Sequence, residues 1–286
     1  MPEGQPALAL TTLDLPRPGV AEDAPPLAAV ARGTALLAVF DGLGGAGARA
    51  VEGEAGRRSS AYYAARAARA ATAEAFARGD RDFAAAIGAR LTERQRRAPV
   101  APGPVRSTLL RSYPTTAAIL LIAGDAVTAL WAGDSRCYAL TPHAGLQQLS
   151  RDDAAAEGAP MTNLLCAGQP ARLRATTARI AGPAIFIAAT DGAFASLPSP
   201  IHFEAVLLDA LAGAGTPADW TAALATRLAA LADDDVTLAA AFADWAPSRF
   251  AGRRAALAAL LTAPAATAWA QYRPGYMALA GTGVGA

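Results

Sequence analysis

Residues 34–45 read TALLAVFDGLGG, an apolar run that ends on an aspartate followed at once by glycine. A run of that length bounded by Gly and Asp reads as a buried strand. Three more stretches repeat the arrangement: AVTALWAGDSRCY at 126–138, AIFIAATDG at 184–192 and DDDVTLAAAF at 233–242. Each run meets aspartate at one end, so the acids fall where strands leave a sheet, and sites are usually built there.

The sequence around these runs separates strands from helices. An irregular, Pro-rich N-terminal arm leads to the strand that ends at Asp41. Residues 46–78 are helical territory with a stop at Gly79, and a second helix covers 80–97. The segment APVAPGPVRS at 98–107 is a loop. TTAAILLIA and AVTALWA, separated by Gly124-Asp125, form an antiparallel hairpin. Residues 137–150 give another strand and turn around Gly145, and 151–170 is irregular. Helices follow at 202–213 and 217–231; the second is started by Thr216 as N-cap, Pro217 at the first helical position and Asp219 against the dipole. A strand at 236–242 closes the core, and a helix near 248–261 leads to a Gly-rich tail. Neighbouring strands with separate helical runs indicate an α+β layered domain rather than alternating βαβ units. Residues 1–245 are expected to form one catalytic domain, with 246–286 as a C-terminal helix and tail.

Composition narrows the function classes. Hydrophobic residues make up 53% of the chain and charged residues 17%, which fits a globular enzyme rather than a disordered chain. The net charge of +1 gives no polyanion footprint, so no nucleic-acid partner is expected. The 25 basic residues are all arginine. Without lysine, a lysine P-loop, a Schiff base and a Ser-Lys dyad are excluded. Cys137 and Cys166 have no zinc-ligand spacing and read as reduced, buried thiols. The start, MPEGQPALALTT, has neither a basic n-region nor a long apolar h-region, and the apolar stretch at 255–270 is broken by Pro264. With the absence of lysine, this points to a bacterial cytoplasmic protein without a membrane partner.

The chemistry lies in the acids. A Mg²⁺ or Mn²⁺ ion takes oxygen ligands from a few carboxylates, a backbone carbonyl and waters. Asp41, Asp191 and Asp234 can supply the carboxylates and Gly42 the carbonyl. A single Asp-Gly at a strand end is commonly only a turn. Asp-Gly-x-Gly-Gly at 41–45, Gly-Asp-Ser-Arg at 133–136, Thr-Asp-Gly at 190–192 and Asp-Asp-x-Thr at 234–237, in this order, are hard to obtain from turn chemistry alone.

With Ala21-Glu22-Asp23-Ala24, these motifs resemble those of the metal-dependent protein serine/threonine phosphatases of the type 2C family, over roughly residues 15–243. The resemblance implies a four-layer α/β/β/α sandwich, two antiparallel sheets flanked by helices. It also implies two Mn²⁺ or Mg²⁺ ions, with a third, weaker position near Asp134. Asp41 would bridge the ions, Gly42 would contribute its carbonyl, Asp191 and Asp234 would complete one ion, and Glu22 would act on the other. Asp23 would orient the attacking water. The implied reaction is attack by a dinuclear-metal-activated hydroxide on the phosphorus of phosphoserine or phosphothreonine in proteins. The implied partners are such phosphoproteins and a cognate serine/threonine kinase system.

The chain departs from the family at four places. Leu43 stands where many members carry histidine, Pro18 stands where they carry a phosphate-holding arginine (Arg17 being next to it), and Pro114 replaces a usual glycine. The segment between Ser150 and Gly168 is short for the family's flap. Leu43, Pro18 and the short flap motivate an alternative reading, a weak or inactive pseudophosphatase acting as a regulatory binding module. The filled acidic positions weigh against it, because repelling carboxylates have little reason to be kept together without cations. A Gly-Asp-Ser esterase fits poorly, since neither His143 nor His202 has an acid three residues before it. Arg57-Arg58, Arg96-Arg97 and Arg253-Arg254 read as solvated helix faces. Arg136 either pairs with an acid or positions the Gly-Asp-Ser loop. Trp245, Trp269, Tyr272 and Tyr276 read as packing of a C-terminal helix onto the core.

Overall fold

The computed structural model describes residues 8–19, 21–44, 50–100, 112–154 and 161–280. Gly45 and most of the loop expected at 98–107 lie outside them. Two five-stranded antiparallel sheets form the centre. The first has β1 (Ala9–Leu15), β12 (Val236–Ala243), β11 (Ala184–Ala189), β8 (Arg136–Thr141) and β9 (Gly145–Gln148) in that spatial order. The second has β10 (Arg174–Arg179), β7 (Ala126–Ala132), β6 (Ala117–Ala123), β3 (Thr34–Val39) and β2 (Leu27–Ala31). A small hairpin, β4 (Ala50–Gly53) and β5 (Gly56–Ser59), stands apart.

The apolar runs are continuous because these strands are covered on both faces. In β3, Ala35, Leu37 and Val39 face the space between the sheets, while Leu36 and Ala38 face the opposite side. The layer between the sheets is rich in alanine, with Ala118, Ala129, Ala139, Ala188, Ala239 and Ala241 around Leu120 and Phe186. Outside the second sheet lie α1 (Ser60–Arg78) and α2 (Phe83–Arg97), burying Tyr63, Phe76, Phe83 and Ile87. Outside the first lie α3 (Pro200–Leu211), α4 (Pro217–Ala229), α5 (Ala251–Thr262) and α6 (Ala265–Tyr276), over Trp220, Phe203 and Phe242. This is the expected α/β/β/α sandwich. Burying side chains of this size contributes about 1.5–3 kcal/mol each.

Local signals held at several places. α1 stops at Gly79, which takes φ 84°, and β6 and β7 turn at Gly124-Asp125. Thr216 and Asp219 form a reciprocal capping box with Pro217 in the first turn of α4. Both cysteines are free and buried. Other expectations are corrected. The N-terminal arm contains β1 and β2, and residues 50–59 form a hairpin where helix was expected, so Arg57 and Arg58 lie on β5. β10 falls in sequence that was assigned no element, and the C-terminal region holds two helices rather than one. Arg253 is not a solvated face residue, because it forks onto Glu204, whose side chain is fully buried. No helix among the described residues is long and apolar enough to cross a membrane.

Candidate metal centre

The acids gather at one end of the sandwich, each brought by a separate connection. Asp41 follows β3 and is seated on two threonines before β6. Its carbonyl accepts the Thr116 N–H at 2.8 Å and the Thr115 hydroxyl at 2.7 Å, and its own N–H donates to Thr116 Oγ1 at 3.2 Å. Thr116 Oγ1 also meets Ser135 Oγ at 2.7 Å, which ties the Asp41 turn to the Gly-Asp-Ser-Arg loop. Leu43 N–H donates to the Pro114 carbonyl at 3.2 Å.

Glycine is required here by close approach. A Cβ on Gly42 would lie 2.5 Å from the Ala61 carbonyl oxygen in α1 and 2.8 Å from that of Glu22. A Cβ on Gly44 would collide with the Glu22 carboxylate. The Asp-Gly-x-Gly turn is thus wedged between the start of α1 and the Glu22-Asp23 loop.

That loop is held by Asp235, which accepts the backbone N–H of Arg17 at 2.5 Å, Glu22 at 2.6 Å and Asp23 at 3.2 Å. Asp235 is buried. Thr190 hydroxyl donates to Asp23 Oδ2 at 2.8 Å and accepts the Thr237 N–H at 3.0 Å, joining β11, β12 and the N-terminal loop. Asp191 opens a short 3₁₀ turn, and its carbonyl accepts Phe194 N–H at 2.8 Å and Ala195 N–H at 2.7 Å.

The three adjacent acids face different partners. Asp233 accepts the Ser196 hydroxyl at 2.7 Å, and its carbonyl accepts the Arg17 guanidinium. Asp235 serves backbone N–H groups, whereas Asp234 lies within electrostatic reach of Asp191.

Crowding and burial disturb the carboxyls. Burial pushes Asp23 up to about 7, against hydrogen bonds from Asp41, Thr237 and Thr190. Asp41 is raised well above the usual range by burial and then by the charges of Asp23, Asp191 and Asp134. Burial first, then the charges of Asp134 and Asp234, raise Asp191 to about 6. Asp134 is raised by burial, with Asp152 adding to it and Arg136 opposing. The Asp23 and Asp41 carboxyls act directly on each other, the charge of Asp23 holding Asp41 up. Among the described residues no three acidic, imidazole or thiol side chains converge on a single ion position.

The donor set nevertheless fits a hard divalent cation: several carboxylates, one backbone carbonyl at Gly42, and no thiolate or imidazole. Asp134 Oδ1 is buried without a hydrogen-bond partner, which is what an oxygen intended for an ion or its waters looks like. The sequence-derived candidates Glu22, Asp23, Asp41, Gly42, Asp134, Asp191 and Asp234 all belong to this end, and Arg17 lies beside it at the Asp233 carbonyl. The threonine seat and the Asp235 clamp were not foreseen. Only the adjacency of Asp235 to Asp234 hinted at the second.

Arg136 pairs with an acid, Asp152, through Nε at 2.8 Å and Nη2 at 2.6 Å. The Gly-Asp-Ser serine is not set up as in an esterase: its hydroxyl meets Thr116 Oγ1 at 2.7 Å, and His202 Nδ1 lies 2.9 Å from Ser199 Oγ instead.

A family model described as Protein phosphatase 2C matches residues 20–232. The structure is similar to the catalytic domain of the serine threonine protein phosphatase PstP in complex with two manganese ions, with 22% identity and a TM-score of 0.53 over 82% of this chain and 97% of that one. It is also similar to the serine/threonine phosphatase Stp1 of Staphylococcus aureus, at 14% identity and TM-score 0.61 over 83% and 96%. RsbX in complex with magnesium gives 17% identity and TM-score 0.53 over 82% and 94%. At these identities the likeness is one of fold. A search of curated protein sequences returned no match.

Proposed function

The chain belongs to the protein phosphatase 2C family, and from that premise we propose that it is a metal-dependent phosphomonoesterase acting on phosphoserine and phosphothreonine in proteins. One observation carries the reading. Asp23, Asp41, Asp134, Asp191 and Asp234 come from separate connections, and the charges of Asp23, Asp134 and Asp191 bear on Asp41 while those of Asp134 and Asp234 bear on Asp191, a free-energy penalty that bound cations would offset. Manganese and magnesium in the PstP and RsbX structures support the choice of ion.

In this reading Asp41 and the Gly42 carbonyl would help hold two Mn²⁺ or Mg²⁺ ions. Asp191 and Asp234 would hold one ion, Glu22 would serve the other, and Asp134 would serve a third, weaker one. When bound, the ions supply a water of lowered pKa and positive charge against the phosphoryl oxygens. Asp23, fixed by Thr190, orients the attacking water and takes up its proton. Arg17 meets the substrate phosphate from its place at the Asp233 carbonyl. Leu43 is apolar, so no side chain at that place protonates the leaving oxygen. The partners in this reading are phosphoproteins and the serine/threonine kinases that make them, in the cytoplasm.

The test is hydrolysis of a phosphothreonine peptide with Mn²⁺, with EDTA, and by Asp191→Ala in parallel. Turnover that needs Mn²⁺ and is lost in both controls supports the proposal. Mn²⁺ binding without turnover would favour the regulatory binding module, and no metal binding would overturn the reading of the acids.

A further inference from the structure

The match to the family ends at residue 232, so β12, α5 and α6 all lie outside it. α5 and α6 pack on the outer face of the first sheet, and the contact is not only apolar. The Tyr276 hydroxyl, in the last turn of α6, donates to Gln148 Oε1 at 2.6 Å, and both side chains are buried. Gln148 sits opposite Tyr138 in the β8–β9 pair, and the Tyr276 and Tyr138 rings lie 6.4 Å apart. The Tyr138 hydroxyl accepts a long hydrogen bond, 3.5 Å, from the Arg136 guanidinium. Arg136 forks onto Asp152 and covers the Phe194 ring at 4.2 Å. Phe194 N–H donates to the Asp191 carbonyl, and Arg136 is two residues past Asp134.

We infer that Tyr276 is a positioning residue for the metal centre: through Gln148 and Tyr138 it holds the Arg136–Asp152 fork, which fixes the loops bearing Asp134 and Asp191. Without the Tyr276 hydroxyl Gln148 Oε1 on the edge strand β9 loses its partner, and without the whole ring the face of Tyr138 that backs Arg136 is uncovered. The fork is planar, and its aim depends on what packs behind it. A small tilt there moves Asp134, whose Oδ1 has no protein partner to hold it. The inference rests on reading the acids as an ion site, and adds that residues outside the family match set its geometry.

The rival explanation is that Tyr276 only stabilises the fold. The experiment compares the full-length protein with Tyr276→Phe, Tyr276→Ala and Leu257→Ala, the last a buried α5 residue outside the hydrogen-bonded chain. Each is followed by calorimetric titration with Mn²⁺, by thermal unfolding in EDTA, and by kcat and KM on p-nitrophenyl phosphate. Tyr276→Ala is expected to weaken Mn²⁺ binding about 10-fold, the lower end for a group acting behind the ligands, and to lower kcat with KM held. Tyr276→Phe moves the same way by less, while Leu257→Ala lowers the unfolding temperature and leaves Mn²⁺ affinity at the wild-type value. A double variant, Tyr276→Phe with Gln148→Leu, removes both polar partners and recovers part of the loss. Unchanged Mn²⁺ affinity in Tyr276→Ala, or an equal loss in Leu257→Ala, overturns the inference. If the wild type binds Mn²⁺ without turnover, the phosphatase reading fails while the titrations still decide this one. If the wild type binds no Mn²⁺, both fall.

Discussion

The carboxylate of Asp235 accepts the backbone N–H of Glu22 at 2.6 Å across 213 residues of chain. The same carboxylate takes the N–H groups of Arg17 and Asp23, so one buried side chain sets where the N-terminal acids stand. Asp235→Ala leaves these donors unsatisfied and is expected to destabilise the protein by about 1–3 kcal/mol while weakening Mn²⁺ binding. Asp235→Asn keeps one acceptor oxygen and should fall between the alanine variant and wild type. Urea unfolding with a parallel Mn²⁺ titration checks the order, and an alanine variant equal to wild type in both would remove the clamp from the account.

Asp41→Asn should separate function from stability. Asp41 lies among Asp23, Asp191 and Asp134, whose charges oppose its own. Neutralising it relieves that repulsion and is expected to stabilise the protein in EDTA by on the order of 1 kcal/mol. The same change should reduce Mn²⁺-dependent turnover by more than about 100-fold, the upper end of what residues behind a ligand cost. A variant that loses stability in EDTA and keeps turnover would contradict the assignment.

The crowded acids also set a pH dependence. Asp23 at about 7 and Asp191 at about 6 both lie above the unfolded value of 3.8. Between those values the folded protein holds protons that the unfolded chain has released, so stability in EDTA falls as pH rises from about 4 through about 7. Saturating Mn²⁺, which favours the ionised carboxylates, should flatten it. Thermal unfolding across that range tests the sign, and stability that rises with pH in EDTA would refute the argument.

At the opposite face, Arg253 forks onto Glu204, whose side chain is wholly buried. Arg253→Ala strands that charge and is expected to cost about 3–5 kcal/mol, whereas Arg253→Met with Glu204→Gln should cost much less. Chemical denaturation of the two variants decides it. Similar losses in both would show that packing by the arginine stem, rather than the ion pair, holds α5 to α3.

Gly44→Ala probes the loop around Glu22. The added methyl meets the end of a flexible side chain, so it should alter thermal stability little and push the Glu22 carboxylate away from the Asp41 turn. Gly42→Ala meets backbone oxygens of Ala61 and Glu22 and is expected to destabilise by about 1–3 kcal/mol. If Mn²⁺ affinity is untouched in Gly44→Ala, Glu22 has no part in ion binding.

The buried strands and the acids at their ends were legible because apolar runs meeting Asp-Gly leave few alternatives. β1 was not: it is an edge strand with Thr-Thr and Asp in its middle, flanked by prolines, and only its pairing with β12 makes it a strand. The β4–β5 hairpin is polar and holds four-residue strands, too short for periodicity to show. Within the site, the metal-facing acids could be read from their motifs. The grip of Asp235 could not, because its partners are backbone N–H groups more than 200 residues away, which no local pattern records.

The pairing of β1 with β12, from Ala9 against Phe242 to Leu15 against Val236, places an early strand beside a late one. During synthesis on the ribosome, Glu22 and Asp23 emerge long before Asp191, Asp234 and the Asp235 clamp that seats them. The first-made acids therefore wait in an unfinished sheet with no site to enter, and β12 is the strand that closes it. A nascent chain interrupted before residue 236 would carry all of the acids yet lack the strand that holds them in a fixed relation to one another.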